Sequence, residues 1–178
     1  YHKNKLEIEN SGIMAKSPTD ILKEAILLEK RGKAFYSNVA QQSKSAAARK
    51  IFNMMAEEED EHIKFLSKQF KAYTSDNKFV KPDAYEEDPN EETVLKILSE
   101  DIKKEISAAS FEAAAISSAM DFETRAVKIY SDRAKEATDP MEIETYEMLA
   151  KWESGHHKLL HRLNEDLKEQ VWNDNSFW

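Results

Sequence analysis

A chain of 178 residues, 40% hydrophobic and 34% charged, is long enough to bury a sizeable core and too apolar to be disordered. Its net charge of −8 argues against nucleic acid and anionic membrane as partners, since both would repel it. The absence of cysteine excludes disulfides, thiolate catalysis, Cys-ligated zinc and iron–sulfur clusters. No apolar run approaches the ~20 residues of a membrane span and no signal-peptide core is visible, so a cytoplasmic location is expected.

Residues 1–16 are polar and weakly patterned, and are expected to be poorly ordered. Met14 is a candidate natural start, which would make the residues before it an addition. Beyond them, one domain is expected over 17–172. Ser17-Pro18-Thr19-Asp20 sets a cap before a proline at the first helical position and opens a helix over 18–42. A second helix is predicted over 45–72, then a loop from about Thr74 to Asn90. Asp88-Pro89-Asn90-Glu91 starts a short helix over 91–105. Long helices over 108–137 and 140–170 follow, the latter opened by Asp139-Pro140-Met141-Glu142. Three glycines and four prolines leave few breakers, and no alternating apolar run suggests a strand. The fold class is all-α.

The chain repeats itself. A shift of 94 positions places Glu29 on Glu123, Tyr36 on Tyr130, Ala40 on Ala134 and the candidate cap Ser45 on Asp139. The same shift places Met54 on Met148, Ala56 on Ala150, Glu59 on Glu153, His62 on His156, Lys64 on Lys158 and Leu66 on Leu160. Two helical hairpins of one pattern are therefore expected, joined by a crossover of about 35 residues that contains the short helix. Each hairpin carries a glutamate and, thirty residues on, a Glu-x-x-His.

Residues three and four apart share a helical face. Glu59 and His62 lie on a face with Ala48, Phe52, Met55 and Leu66. Glu153 and His156 lie with Tyr146, Leu149, Leu160, Leu163 and Leu167. Glu29 falls among Leu22, Ile26, Tyr36 and Ala40, and Glu123 among Ile116, Met120, Val127 and Tyr130. Glu59 is embedded in the acidic run MAEEEDEHIKFL, whose other four acids point to the helix flanks and its wet side. Burying four carboxylates together costs several kcal/mol each unless protons, hydrogen bonds or cations compensate. One glutamate from each of two helices and a Glu-x-x-His from each of two others is the ligand set of di-iron and di-manganese carboxylate bundles. Carboxylate and imidazole donors without thiolate suit iron or manganese, and zinc also fits. The alternative is a structural helical module with a metal-free polar core.

Other residues are ambiguous. Tyr36 and Tyr130, seven residues after their glutamates, either pack or hydrogen-bond a ligand carboxylate, and they are the catalytic candidates outside the ligand set. Gly32 and Gly155 sit inside helices at a cost of about 1 kcal/mol against alanine, for ligand space or incidentally. Trp152 reads as packing, and His157 and His161 as surface residues.

The segments EKRGKAFY (Glu29, Tyr36), EDEH (Glu59, His62), FETRAVKIY (Glu123, Tyr130) and ESGH (Glu153, His156) together resemble the rubrerythrin branch of the ferritin-like superfamily, over about Pro18 to Lys168. The resemblance implies an up-down-down-up four-helix bundle whose crossover traverses its length, about 30 Å. It also implies two iron ions bridged by Glu59 and Glu153, with Glu29 and Glu123 terminal and one histidine on each metal. The activity implied is reduction of hydrogen peroxide or dioxygen with electrons from an external donor, in a homodimer. Two departures stand out. There are no cysteines for the rubredoxin domain that many relatives carry. Ala126 stands where peroxidases of the family typically place an extra carboxylate, so the simpler alternative of non-catalytic iron or manganese binding, storage or sensing stays open.

Overall fold

The computed structural model describes residues 16–83, 91–108 and 110–173. The expectations for residues 1–15 and for the Asp88-Pro89 cap lie outside the described residues. Among those described, five helices and no strand occur: α1 (Pro18–Gln42), α2 (Ala46–Asp76), α3 (Glu91–Glu105), α4 (Phe111–Glu136) and α5 (Pro140–Asn173).

The helix starts follow from side-chain caps that accept orphaned backbone N–H groups. Ser17 Oγ accepts from Asp20 N at 3.2 Å, Ser45 Oγ from Ala48 N at 3.0 Å, and Asp139 Oδ1 from Met141 N at 2.8 Å. Helix α4 begins three residues later than expected, because Ser110 is the cap and accepts from Ala113 N at 3.2 Å. Helix α2 runs four residues past its expected end. Asn77, left-handed at φ 54°, stops it by donating its N–H to Tyr73 O. Helix α5 likewise continues to Asn173 rather than 170.

Three contacts fix the topology. Glu112, in the first turn of α4, accepts from Lys44 N at 2.8 Å, so α4 starts beside the α1–α2 turn and runs parallel to α2. Glu105, at the end of α3, accepts from Ser45 Oγ at 2.6 Å and Ala47 N at 3.1 Å. At the other end of the bundle, Gln69 forms a two-way pair with Val80, donating to its oxygen at 2.9 Å and accepting from its N–H at 3.0 Å. The crossover thus leaves the lower end of α2, climbs through α3 along α2 and α5, and delivers the chain to the top of α4. The order is up, down, down, up.

The core comes in two parts. The upper one joins Tyr36, Val39, Ile51, Phe52, Ile102, Ile116, Leu160 and Leu163. The lower one joins Leu22, Leu66, Phe79, Ala126, Tyr130, Tyr146 and Leu149. Each large buried side chain contributes about 1.5–3 kcal/mol by leaving water. Between these clusters, at mid-height of all four long helices, the apolar faces are interrupted by acids and imidazoles.

Candidate metal centre

Each interruption is placed by helical periodicity. Glu29 on α1 and Glu123 on α4 face inward between buried neighbours, as do the Glu59–His62 pair on α2 and the Glu153–His156 pair on α5. All six side chains are buried. His62 Nδ1 lies 3.2 Å from Glu29 Oε2, 3.4 Å from Glu59 Oε2 and 2.9 Å from Glu153 Oε1. His156 Nδ1 lies 3.6 Å from Glu59 Oε1, 3.4 Å from Glu123 Oε1 and 3.5 Å from Glu153 Oε2. Two four-residue groups emerge, Glu29–Glu59–His62–Glu153 and Glu59–Glu123–Glu153–His156, each with donor atoms within 4.8 Å of one another. Glu59 and Glu153 belong to both.

The donor atoms fit divalent cations on a direct test. Both oxygens of Glu59, both of Glu153, Glu123 Oε2 and His156 Nδ1 are buried without a hydrogen-bond partner among the described residues. Six such orphans in one layer would be expensive in an ordinary core, and a cation is what satisfies acceptors that no donor meets in hydrogen-bond geometry.

Without metal, protons carry the compensation. Burial pushes the Glu29 carboxyl well above the ordinary range, with help from its contact with Glu59. Burial likewise pushes Glu123 up to about 8, against the pull of His156. Burial also opposes ionisation of Glu59 and Glu153. Nearby Glu29 and both imidazoles hold Glu59 below the usual range, and His156, His62 and Glu123 hold Glu153 below it. Both histidines are raised well above their ordinary value, the surrounding carboxylates overcoming burial. Two neutral acids, two carboxylates and two imidazolium ions sum to zero charge. Two divalent cations among four carboxylates and two neutral imidazoles also sum to zero.

The tyrosines reach across the bundle. Tyr36 of α1 donates to Glu123 of α4, and Tyr130 of α4 donates to Glu29 of α1. Burial and the adjacent carboxylate raise both phenols far above the ordinary range, so they act as donors. The sequence leaves open whether these rings only pack. They also stack in matched fashion, Tyr36 on Phe52 at 6.1 Å and Tyr130 on Tyr146 at 6.2 Å.

The two glycines separate. A Cβ on Gly32 would meet Phe122 Cε1 at 3.1 Å and the Glu59 carboxyl at 3.2 Å, so Gly32 makes room for Glu59. A Cβ on Gly155 meets nothing within 4 Å among the described residues, and that glycine clears no space for the proposed ligands. His157 and His161 lie off the centre with their rings 6.2 Å apart, half-buried and exposed. Trp152 stacks on the His62 ring at 4.9 Å. One participant escapes the sequence reading. Glu58, assigned to the flank of α2, reaches α5 and accepts from His156 Nε2 at 2.6 Å. Its repeat counterpart is Trp152, so the repeat itself gave no signal for this contact.

The fold and centre together define a ferritin-like helical bundle with a carboxylate–histidine site. The sequence model of the Rubrerythrin family matches residues 20–164, and the chain belongs to that family. No curated protein and no solved structure matches it. A di-iron site fits this membership and the buried cluster. No helix among the described residues is long and apolar enough to cross a membrane.

Proposed function

We propose that the protein is a di-iron carboxylate oxidoreductase that reduces hydrogen peroxide or dioxygen. The observation that carries this reading is the pair of four-donor groups sharing Glu59 and Glu153. Glu29, Glu59, His62 and Glu153 would hold one ion, and Glu59, Glu123, Glu153 and His156 the other. Two ferrous ions held there would supply the two electrons that, with two protons, convert hydrogen peroxide to two waters.

The chain's own groups set the conditions for that transfer. Four carboxylates offset the charge that grows on oxidation, and burial between two apolar clusters limits water. Tyr36 and Tyr130 hold Oε1 of Glu123 and Oε1 of Glu29 through their hydroxyl protons, restricting how those carboxylates rotate. Manganese or zinc would satisfy the same donors, but zinc could not change oxidation state. An external electron donor, a homodimeric state, a cytoplasmic location and one functional domain over 17–172 belong to this reading, on the family resemblance and the cysteine-free composition.

One observation favours a second reading, a non-catalytic protein that stores or senses iron or manganese. Ala126, three residues after Glu123, is 1% exposed and packs in the lower apolar cluster. A methyl group there supplies no further carboxylate for peroxide turnover. Stoichiometric peroxide added anaerobically to the ferrous-loaded protein tests the redox reading by the growth of ferric absorption. Oxidation no faster than that of free Fe(II) defeats it. Sustained turnover with a reductant then separates an enzyme from a binding protein, which stops after one oxidation.

A further inference from the structure

The two histidines present the same atom inward and meet different residues outward. In both, Nδ1 faces the carboxylates. The outward Nε2 of His156 donates to Glu58 at 2.6 Å. The repeat relates His156 to His62 and Glu58 to Trp152. The corresponding contact of His62 is the Trp152 indole, lying parallel to it within 5° at a centroid distance of 4.9 Å. A parallel ring face limits tilting of the imidazole but accepts no in-plane N–H.

We propose that Glu58 is a positioning residue that makes the two metal positions unequal, so that the Glu123–His156 position binds a divalent cation more tightly and fills first. This rests on the dinuclear reading above. The chemistry is direct. An acceptor on Nε2 fixes the tautomer that leaves the Nδ1 lone pair facing the carboxylates, and raises the donor strength of that nitrogen. It also locks the ring plane. Among the described residues, Glu58 brings a carboxyl group to the outer side of His156, whereas the indole brings none to His62. Glu58 is half-exposed, its side chain 35% accessible, so replacing it leaves no buried space to fill. In its own run, Glu57 and Glu61 are exposed, and Asp60 pairs with Lys33 and Lys64 across and along the surface. Of the four acids that flank Glu59 in this run, Glu58 alone is paired with a side chain of the neighbouring hairpin among the described residues.

The test is an anaerobic Co(II) titration of the full chain, followed by calorimetry and visible absorption. Two ions per chain are expected in two steps, separated by about 10–100-fold in affinity. His156→Ala abolishes the tight step and His62→Ala the weak one. Glu58→Ala weakens the tight step by about 10–100-fold and leaves the other in place, while Glu58→Gln, which keeps an acceptor without the charge, restores part of the loss. Proton NMR of the Co(II) protein supplies a readout that general loosening would not mimic. One shifted imidazole N–H exchanges with D2O at least ~10-fold faster in Glu58→Ala, and the other is unchanged. A single affinity for both ions overturns the proposal, as does a Glu58→Ala variant that weakens both steps equally or neither. Fewer than two ions per chain in the unmodified protein, unaffected by Glu59→Ala, overturns the dinuclear reading as well.

Discussion

The α1–α2 and α4–α5 hairpins carry one pattern of glutamate, tyrosine and Glu-x-x-His, but their surroundings are not copies. The aromatic supports repeat closely, with Tyr36 on Phe52 in one and Tyr130 on Tyr146 in the other. Gly32 in the first hairpin becomes Ala126 in the second, and Glu58 becomes Trp152. The repeated positions hold the donors, and the divergent ones shape the space and charge around them. A site built from duplicated halves can thus keep its ligands symmetric while its two positions acquire different properties.

The largest expected effect breaks the symmetry at its shared members. Glu153→Ala should remove a donor common to both positions and reduce bound metal from two ions to near zero by elemental analysis. Retained helical circular dichroism would show that the bundle survives. Glu59→Ala should do the same. Loss of only one ion from either variant would show that the carboxylate serves one metal position alone.

Next comes pH. Glu29, Glu123, His62 and His156 all have raised values in the metal-free fold, so each contributes stability below its unfolded value that is lost as pH rises through its folded one. For Glu123 the loss falls between the ordinary 4.5 and about 8, and is on the order of 5 kcal/mol. Glu59 and Glu153, held low, lose their contribution only on acidification below the ordinary carboxylate range. The metal-free protein should therefore melt progressively lower from about pH 5 to pH 8. Metal binding near neutral pH should release about four protons, measurable by calorimetry in buffers of different ionisation enthalpy. The melting-temperature gap between loaded and metal-free protein should widen with pH. A gap that narrows would contradict the assigned protonation.

The glycines give a smaller and opposed pair. Gly32→Ala should press on Glu59 and Phe122, cost about 1–3 kcal/mol and weaken metal binding. Gly155→Ala, entering open space, should stabilise α5 by up to about 1 kcal/mol and leave binding alone. Denaturant melts and metal titrations of the two variants separate these outcomes. The smallest contrast lies between the tyrosines. Tyr36→Phe and Tyr130→Phe each strip a donor from a buried carboxyl and should each cost about 1–3 kcal/mol, equal within about 0.5 kcal/mol. Unequal costs would show that the asymmetry at Glu58 extends to the outer carboxylates.

Much of this was legible before the structure. Ser17, Ser45 and Asp139 announce their helices by local chemistry, and the short helix at 91–105 falls where the sequence puts it. The 94-residue repeat picks Glu59 out of five consecutive acids, because Glu153 stands in a run with no other acid beside it. What stayed hidden depends on contacts between hairpins. Helical periodicity gives the face of α2 on which Glu58 lies, but not that His156 of α5 stands within reach of it. The same holds for the crossed tyrosine bonds and for Gly32, whose neighbour Phe122 lies 90 residues away in the chain. The missed end of α2 is local by contrast. It turns on a single left-handed asparagine, which sequence alone does not distinguish from one more helical turn.

The division of the core above and below the centre has a consequence for how the chain can change over time. Neither apolar cluster contains a ligand, and each draws on helices from both hairpins. Folding is thus anchored at two levels while the polar layer sits between them as a separable compartment. Substitutions inside that compartment can alter which ion is held, or how its reactivity is tuned, without dismantling either anchor. The bundle behaves as a frame around an exchangeable middle.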